Sequence, residues 1–250
     1  MGLDIVTLLA AFAVAVSAGI VKGIVGFAMP MVIISGLTTF LSPELALAGL
    51  ILPTVVTNGF QALRQGVRAA WKSIRPFWIF LGVGAGALII TSQFVLAIPQ
   101  AVFLIGLGGL VTLYAVATLA GVPLVLSAQS KMVSIGMGAF AGAVGGISGI
   151  WGPMTVAYLT AYQLPKADQM RVQGMIYGLG AVLLVGAHIS SGVLTLATAK
   201  FSAFLIAPAV IGLWIGFRIQ DRMDQARFKQ ATLLVLLLAG LNLLRRGLFG

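Results

Sequence analysis

The chain has no cysteine, one histidine and only five acidic residues among 250. Without cysteine there is no disulfide, no thiolate metal site and no cysteine nucleophile. One histidine, His188, cannot form an imidazole cluster, and the carboxylates Asp4, Glu44, Asp168, Asp221 and Asp224 are too scattered to make an acidic one, so no metal site is expected. No Walker loop, His-Glu-x-x-His pair or nucleophile elbow occurs, which argues against an enzyme, against a bound cofactor and against transport driven by ATP within this chain. Charged residues amount to 8%, against about 25% in soluble domains. A water-facing surface cannot be built from so few.

What the chain does have is hydrophobic residues at 60%, a mean hydropathy of +1.11, and 32 glycines. Glycine at that level suits closely packed membrane helices. The expected class is an all-α integral membrane protein with the lipid bilayer as its main partner. The net charge of +10 is what positive-inside loops produce, and with no soluble basic domain it does not imply nucleic acid. Residues 1–18 resemble a signal peptide but lack a basic leading stretch and run into further apolar sequence, so they are expected to stay as a membrane segment.

Apolar stretches fall at 3–21, 29–41, 44–62, 76–92, 99–120, 131–149, 152–163, 172–190, 201–217 and 231–244. Most are long enough to cross about 30 Å of hydrocarbon as a helix, but 29–41 and 152–163 are not, and both follow a glycine-rich break. These two breaks repeat each other. Gly19, Gly23, Gly26 and Pro30 recur 123 residues later as Gly142, Gly146, Gly149 and Pro153, and farther on Gly82 and Gly86 match Gly212 and Gly216 at a spacing of 130. The chain therefore reads as two membrane repeats, 1–121 and 128–250, each a Gly/Pro-broken helix hairpin followed by three transmembrane helices.

Loop charge decides their relative orientation. If each break turns the chain back, Arg64, Arg68, Lys72, Arg75, Lys131, Lys166, Arg171, Arg218, Arg222, Arg227 and Lys229 face inward. Only Lys200, Arg245 and Arg246 then face outward. That strong bias obeys the positive-inside rule, inverts the second repeat and puts both termini on the outer side. Single crossings at the breaks give almost no bias.

Each break lets a proline-started helix aim unpaired N–H groups into mid-membrane, and two such ends form a place for an anion. The candidate binding residues are Gly23, Gly26, Phe27 and Pro30 at the first break and Gly146, Gly149, Trp151 and Pro153 at the second. Lys22, beside the first break, is an intramembrane cation and the sharpest candidate of all. Asn58 and Gln61 share one face of the helix over 44–62, and Gln173 and Tyr177 share one face of the related helix over 172–190. His188, Glu44 and Asp168 are candidates for proton coupling, the last two equally explained by the helix dipole.

The doubled Gly-x-x-Gly-x-x-x-Pro breaks, the Gly-x-x-x-Gly of 82–86 and 212–216 and the basic stretch before the last helix resemble the TauE/SafE family of sulfite and organosulfonate transporters, also called toluene-sulfonate uptake permeases. The resemblance covers nearly the whole chain. It implies a multi-pass inner-membrane carrier for sulfite, sulfoacetate or another sulfur-containing anion. The expected activity is secondary transport of a small anion by alternating access of the two repeats. An anion channel, a carboxylate carrier and a non-transporting assembly factor are the alternatives, and the oligomeric state is left open.

Overall fold

The computed structural model describes residues 3–92, 100–122, 126, 130–148, 152–190 and 192–249. Among them the regular structure is helical: α1 (Ile5–Val25), α2 (Met29–Leu37), α3 (Pro43–Leu63), α4 (Val67–Ile74), a 3₁₀ turn (Arg75–Phe77), α5 (Trp78–Ser92), α6 (Gln100–Leu119), α7 (Lys131–Ser148), α8 (Gly152–Ala161), α9 (Lys166–Ser190), α10 (Leu196–Arg222) and α11 (Gln225–Phe249). Five stretches are long and apolar enough to cross a membrane: Ile5–Val25, Pro43–Leu63, Val67–Thr91, Leu196–Arg222 and Gln225–Phe249. The helices α2 and α8, with 9 and 10 residues, reach only about 15 Å at 1.5 Å per residue, half of a hydrocarbon core. The expected short arms are short, and α2 ends at Leu37, four residues before the apolar stretch does.

The chain forms two compact units. The first contains Met1–Ala70 and Met170–Asp224, the second Trp71–Gln169 and Gln225–Gly250. Each thus draws on both halves of the sequence.

In the first unit, α1 starts on an Asp4 cap that accepts from the Thr7 N–H at 2.8 Å. Its small residues Ala11, Ala15, Ala18, Gly19 and Gly23 are buried, and this face lies on α10. A Cβ on Gly19 would stand 2.3 Å from the Ala209 carbonyl oxygen, and one on Gly212 would stand 2.1 Å from that of Val16. Backbone meets backbone along this seam, so only glycine fits. The seam also sets the rotation of α1 about its axis. Beside it, Met29, Ile33 and Leu37 of α2 join Ala46 and Leu50 of α3 and Phe201, Leu205 and Ala209 of α10 in one apolar core.

The helix α3 begins at Ser42, whose hydroxyl caps the Leu45 N–H at 3.3 Å. Pro53 inside it has no N–H to give the carbonyl of Gly49 one turn back. Ser202 of α10 compensates: its hydroxyl donates to the Gly49 carbonyl at 3.3 Å and accepts from the Leu52 N–H at 3.0 Å. The proline is thereby kept in a membrane helix without an orphaned carbonyl.

In the second unit, α5 and α7 pack through a comparable seam, with a Cβ on Gly142 falling 2.1 Å from the Gly84 carbonyl oxygen. Gly82 and Gly86 face open space; Gly84 between them is the residue closed on a neighbour. The helices α6 and α11 meet where a Cβ on Gly108 would lie 2.8 Å from the Gly240 carbonyl oxygen. Phe80 stacks on Tyr158 at 4.6 Å, and Tyr158 meets Ser134 by a 3.0 Å hydrogen bond. The basic stretch 64–75, read from sequence as a loop, folds into α4. Ala70, Ser73 and Ile74 are buried, Val67 and Trp71 are exposed beside them, and Arg68 and Lys72 lie on the exposed side.

Candidate functional site

The first break is built by local backbone geometry. Gly26 ends α1 in the left-handed region at φ 87°, its N–H returning to the Lys22 carbonyl at 2.7 Å. Ala28 also adopts a left-handed conformation, φ 71°, which costs a residue with a Cβ about 1 kcal/mol. Helix α2 then starts at Met29 with Pro30 as its second residue, and no side chain caps its N-terminus. Phe27, Ala28 and Met29 are buried. A strained, buried turn therefore ends in an uncapped helix start.

Side chains of α3 face this turn. Thr57 Oγ1 donates to the Pro53 carbonyl at 2.6 Å and lies 3.6 Å from Met29 Sδ. One position on, Asn58 Oδ1 accepts from the Lys22 ammonium. Lys22 is 2% exposed, so it does not snorkel to a surface. Among the described residues Asn58 is its one polar partner, and that partner is neutral. Elsewhere in the unit, Arg64 pairs with Asp221 at 2.5 Å and lies over the Phe217 ring at 4.2 Å from its centroid.

One turn beyond Asn58, Gln61 Nε2 donates both to the Gly26 carbonyl at 3.0 Å and to the Met170 carbonyl at 2.9 Å. This ties the break to α9. The approach of α9 depends on Gly174, where a Cβ would stand 2.6 Å from the Ala62 nitrogen. Next to Gly174, Gln173 is fully buried and turns its amide to the break, its Oε1 1.8 Å from where a Gly26 Cβ would lie. Four buried polar atoms here have no hydrogen-bond partner among the described residues: Asn58 Nδ2, Gln61 Oε1, Gln173 Nε2 and Gln173 Oε1. Buried polar groups are nearly always paired, and each unmet one costs about 1–3 kcal/mol. A buried ammonium whose described partner is a neutral amide is costlier still. The cluster gathers a buried cation and unmet amide groups around the first break.

Of the residues singled out from sequence, the structure brings Lys22, Gly26, Asn58, Gln61 and Gln173 together. Phe27 and Pro30 belong to the same turn, while Gly23 serves the seam with α10, 2.4 Å from the Leu213 carbonyl oxygen by its would-be Cβ. Tyr177 is buried one turn along α9 from Gln173. In the second unit, Gly146 lies near the end of α7 and Pro153 is buried at the start of α8; Gly149 and Trp151 lie outside the described residues. Glu44 is exposed in the first turn of α3, and fourteen residues of helix put it about 21 Å from Asn58. His188 lies as far along α9 from Gln173, and Asp168 accepts from the Ser73 hydroxyl at 2.7 Å. Sequence reading did not single out Thr57 or the Met170 carbonyl. Thr57, next to Asn58, carried a weak signal; a carbonyl exposed by helix approach carried none.

A cavity of about 430 Å³ in the second unit is lined by Leu110, Val111, Phe140, Met154 and other mainly apolar residues. Such walls do not suit an anion.

No curated protein and no solved structure matches the sequence. The model of the family described as "Sulfite exporter TauE/SafE" matches residues 11–243, a range that reaches every described helix, omitting only the start of α1 and the end of α11, and holds all the residues around the first break. The chain, a membrane protein by its helices, belongs to the sulfite exporter TauE/SafE family, a family of transporters of sulfur-containing anions.

Proposed function

We propose that the protein is a secondary transporter that moves a small sulfur-containing oxyanion, sulfite or an organosulfonate, across the inner membrane by alternating access of two inverted repeats. The observation that carries this reading is Lys22: a buried ammonium beside a broken helix, held among the described residues by one neutral amide. A cation that shows no carboxylate partner is matched when an anion arrives. The guest is held by Lys22, by the amides of Asn58 and Gln173 and by the N–H groups of the α2 start.

The glycine seams support the repeat reading. Gly19 of α1 faces Gly212 of α10 in the first unit, and Gly142 of α7 faces Gly84 of α5 in the second. Gly142 follows Gly19 by 142 − 19 = 123 residues and Gly212 follows Gly84 by 212 − 84 = 128, so each seam joins one element from each half.

The deciding experiment is sulfite counterflow in proteoliposomes. A carrier accumulates label against its gradient and saturates, whereas a channel does neither. In the variant Lys22→Gln, affinity falls by a factor of about a hundred, on the scale of removing one buried charged partner; unchanged affinity in a folded variant refutes the assignment. Topology reporters at 66–72 and 192–198 should report opposite sides of the membrane, and the same side would rule out inversion.

A further inference from the structure

The amides around the first break define more than a negative guest, because their orientation is forced. An ammonium only donates, so it faces Asn58 Oδ1 and leaves Nδ2 turned away. Carbonyls only accept, so those of Gly26 and Met170 hold Gln61 by Nε2 and leave its Oε1 unmet. Among the described residues Gln173 is unmet at both ends, and turning its amide over still leaves one oxygen and one nitrogen. The three amides are 0–1% exposed, and two of them converge on Gly26. The unmet set is therefore mixed: two amide nitrogens and the rest of the Lys22 ammonium seek acceptors, while two amide oxygens seek donors.

An oxyanion with acceptor atoms alone answers only half of that set. Its oxygens pair with Lys22, Asn58 Nδ2 and Gln173 Nε2, but Gln61 Oε1 and Gln173 Oε1 stay buried, unpaired and close to added negative charge. A site built around unmet acceptors rejects a ligand that brings no hydrogen to them.

Taking the anion-carrier reading as its basis, we infer that the guest is itself a hydrogen-bond donor: a monoanion with an O–H or N–H on or next to its oxyanion centre, such as hydrogensulfite or an aminosulfonate. It is preferred over a fully deprotonated oxyanion or a sulfonate bearing carbon alone. Gln61 and Gln173 are then the specificity-determining residues, reading the donor while Lys22 reads the charge.

Sulfamate and methanesulfonate test this cleanly. Both are monoanions of nearly the same shape, and they differ by an amino group in place of a methyl. Each competes with labelled sulfite for the full-length protein in liposomes. Sulfamate should compete at least about tenfold more tightly, and in Gln173→Leu, with sulfite affinity itself reduced, the ratio between the two competitors should shrink toward parity. The wild-type comparison stands alone if that variant does not fold. Equal competition by the two anions overturns the donor requirement and leaves the anion reading intact. Failure of all three anions, sulfite included, to bind overturns the reading underneath.

Discussion

The amide oxygen of Gln173 occupies the place a β-carbon on Gly26 would need, 1.8 Å from it, while Gly26 itself holds φ 87°. Gly26→Ala therefore brings two independent penalties, backbone strain and displacement of Gln173. Together they should destabilise the protein by about 2–3 kcal/mol in denaturant titrations, with a parallel fall in anion affinity. Gly26→Ala combined with Gln173→Ala removes the collision but not the strain, so it should recover only part of the loss.

Lys22 and Asn58 should behave as a functional pair that weakens the fold. Replacing both with apolar residues, Lys22→Met with Asn58→Leu, takes away a buried charge and an unmet amide nitrogen together. Such exchanges are commonly neutral or stabilising by about 1–4 kcal/mol. The double variant should melt at or above the wild-type temperature while sulfite counterflow disappears; a large drop in melting temperature would assign the pair a structural role instead.

Gln61→Leu leaves the carbonyls of Gly26 and Met170 without their shared donor. The Gly26 carbonyl lies beyond the helical ladder of α1, whereas that of Met170 stays within the ladder of α9, so stability should fall by about 1–3 kcal/mol. Amide hydrogen exchange should rise first at the end of α1 and the start of α9.

Glycines that look alike in sequence should respond differently to alanine. In Gly142→Ala the new carbon meets the Gly84 carbonyl oxygen at 2.1 Å, backbone that cannot move aside, so a cost of about 1–3 kcal/mol is expected. Gly86→Ala finds nothing within 4 Å and should be neutral or stabilising by up to about 1 kcal/mol. Thermal unfolding of the two variants side by side reads the difference directly.

Ser202→Ala removes the hydroxyl that bonds the α3 backbone beside Pro53. The expected loss is about 1–2 kcal/mol. Because Thr57, Asn58 and Gln61 follow Pro53 on the same helix, anion affinity should fall as well, in contrast to an ordinary serine deletion on a lipid-facing surface.

Much of the first break was legible because polar side chains inside a membrane are costly and rare. Lys22, Asn58, Gln61 and Gln173 declared themselves by type and position alone. Their partners did not. That Gln61 reaches across to the Met170 carbonyl depends on Gly174 letting α9 approach, and a sequence records the glycine without its destination. The same limit explains why Gly82 and Gly86 stood out in the sequence when Gly84 makes the contact: a two-residue shift turns a helix by about 200°, and helix rotation is a property of packing. The eight-residue α4 was missed because its apolar stripe is too short to stand out from the basic residues around it.

The make-up of the first unit also orders events at the ribosome. Its residues 1–70 are synthesised a hundred positions before 170–224, so α1 enters the lipid before α10 exists to cover its glycine stripe. Asn58 arrives early enough to shelter the Lys22 charge during that interval, whereas Gln173 does not. The Lys22 charge and the glycine stripe of α1 must therefore wait within the bilayer until α9 and α10 have been synthesised, which leaves α1 to α3 exposed to quality control in the growing chain.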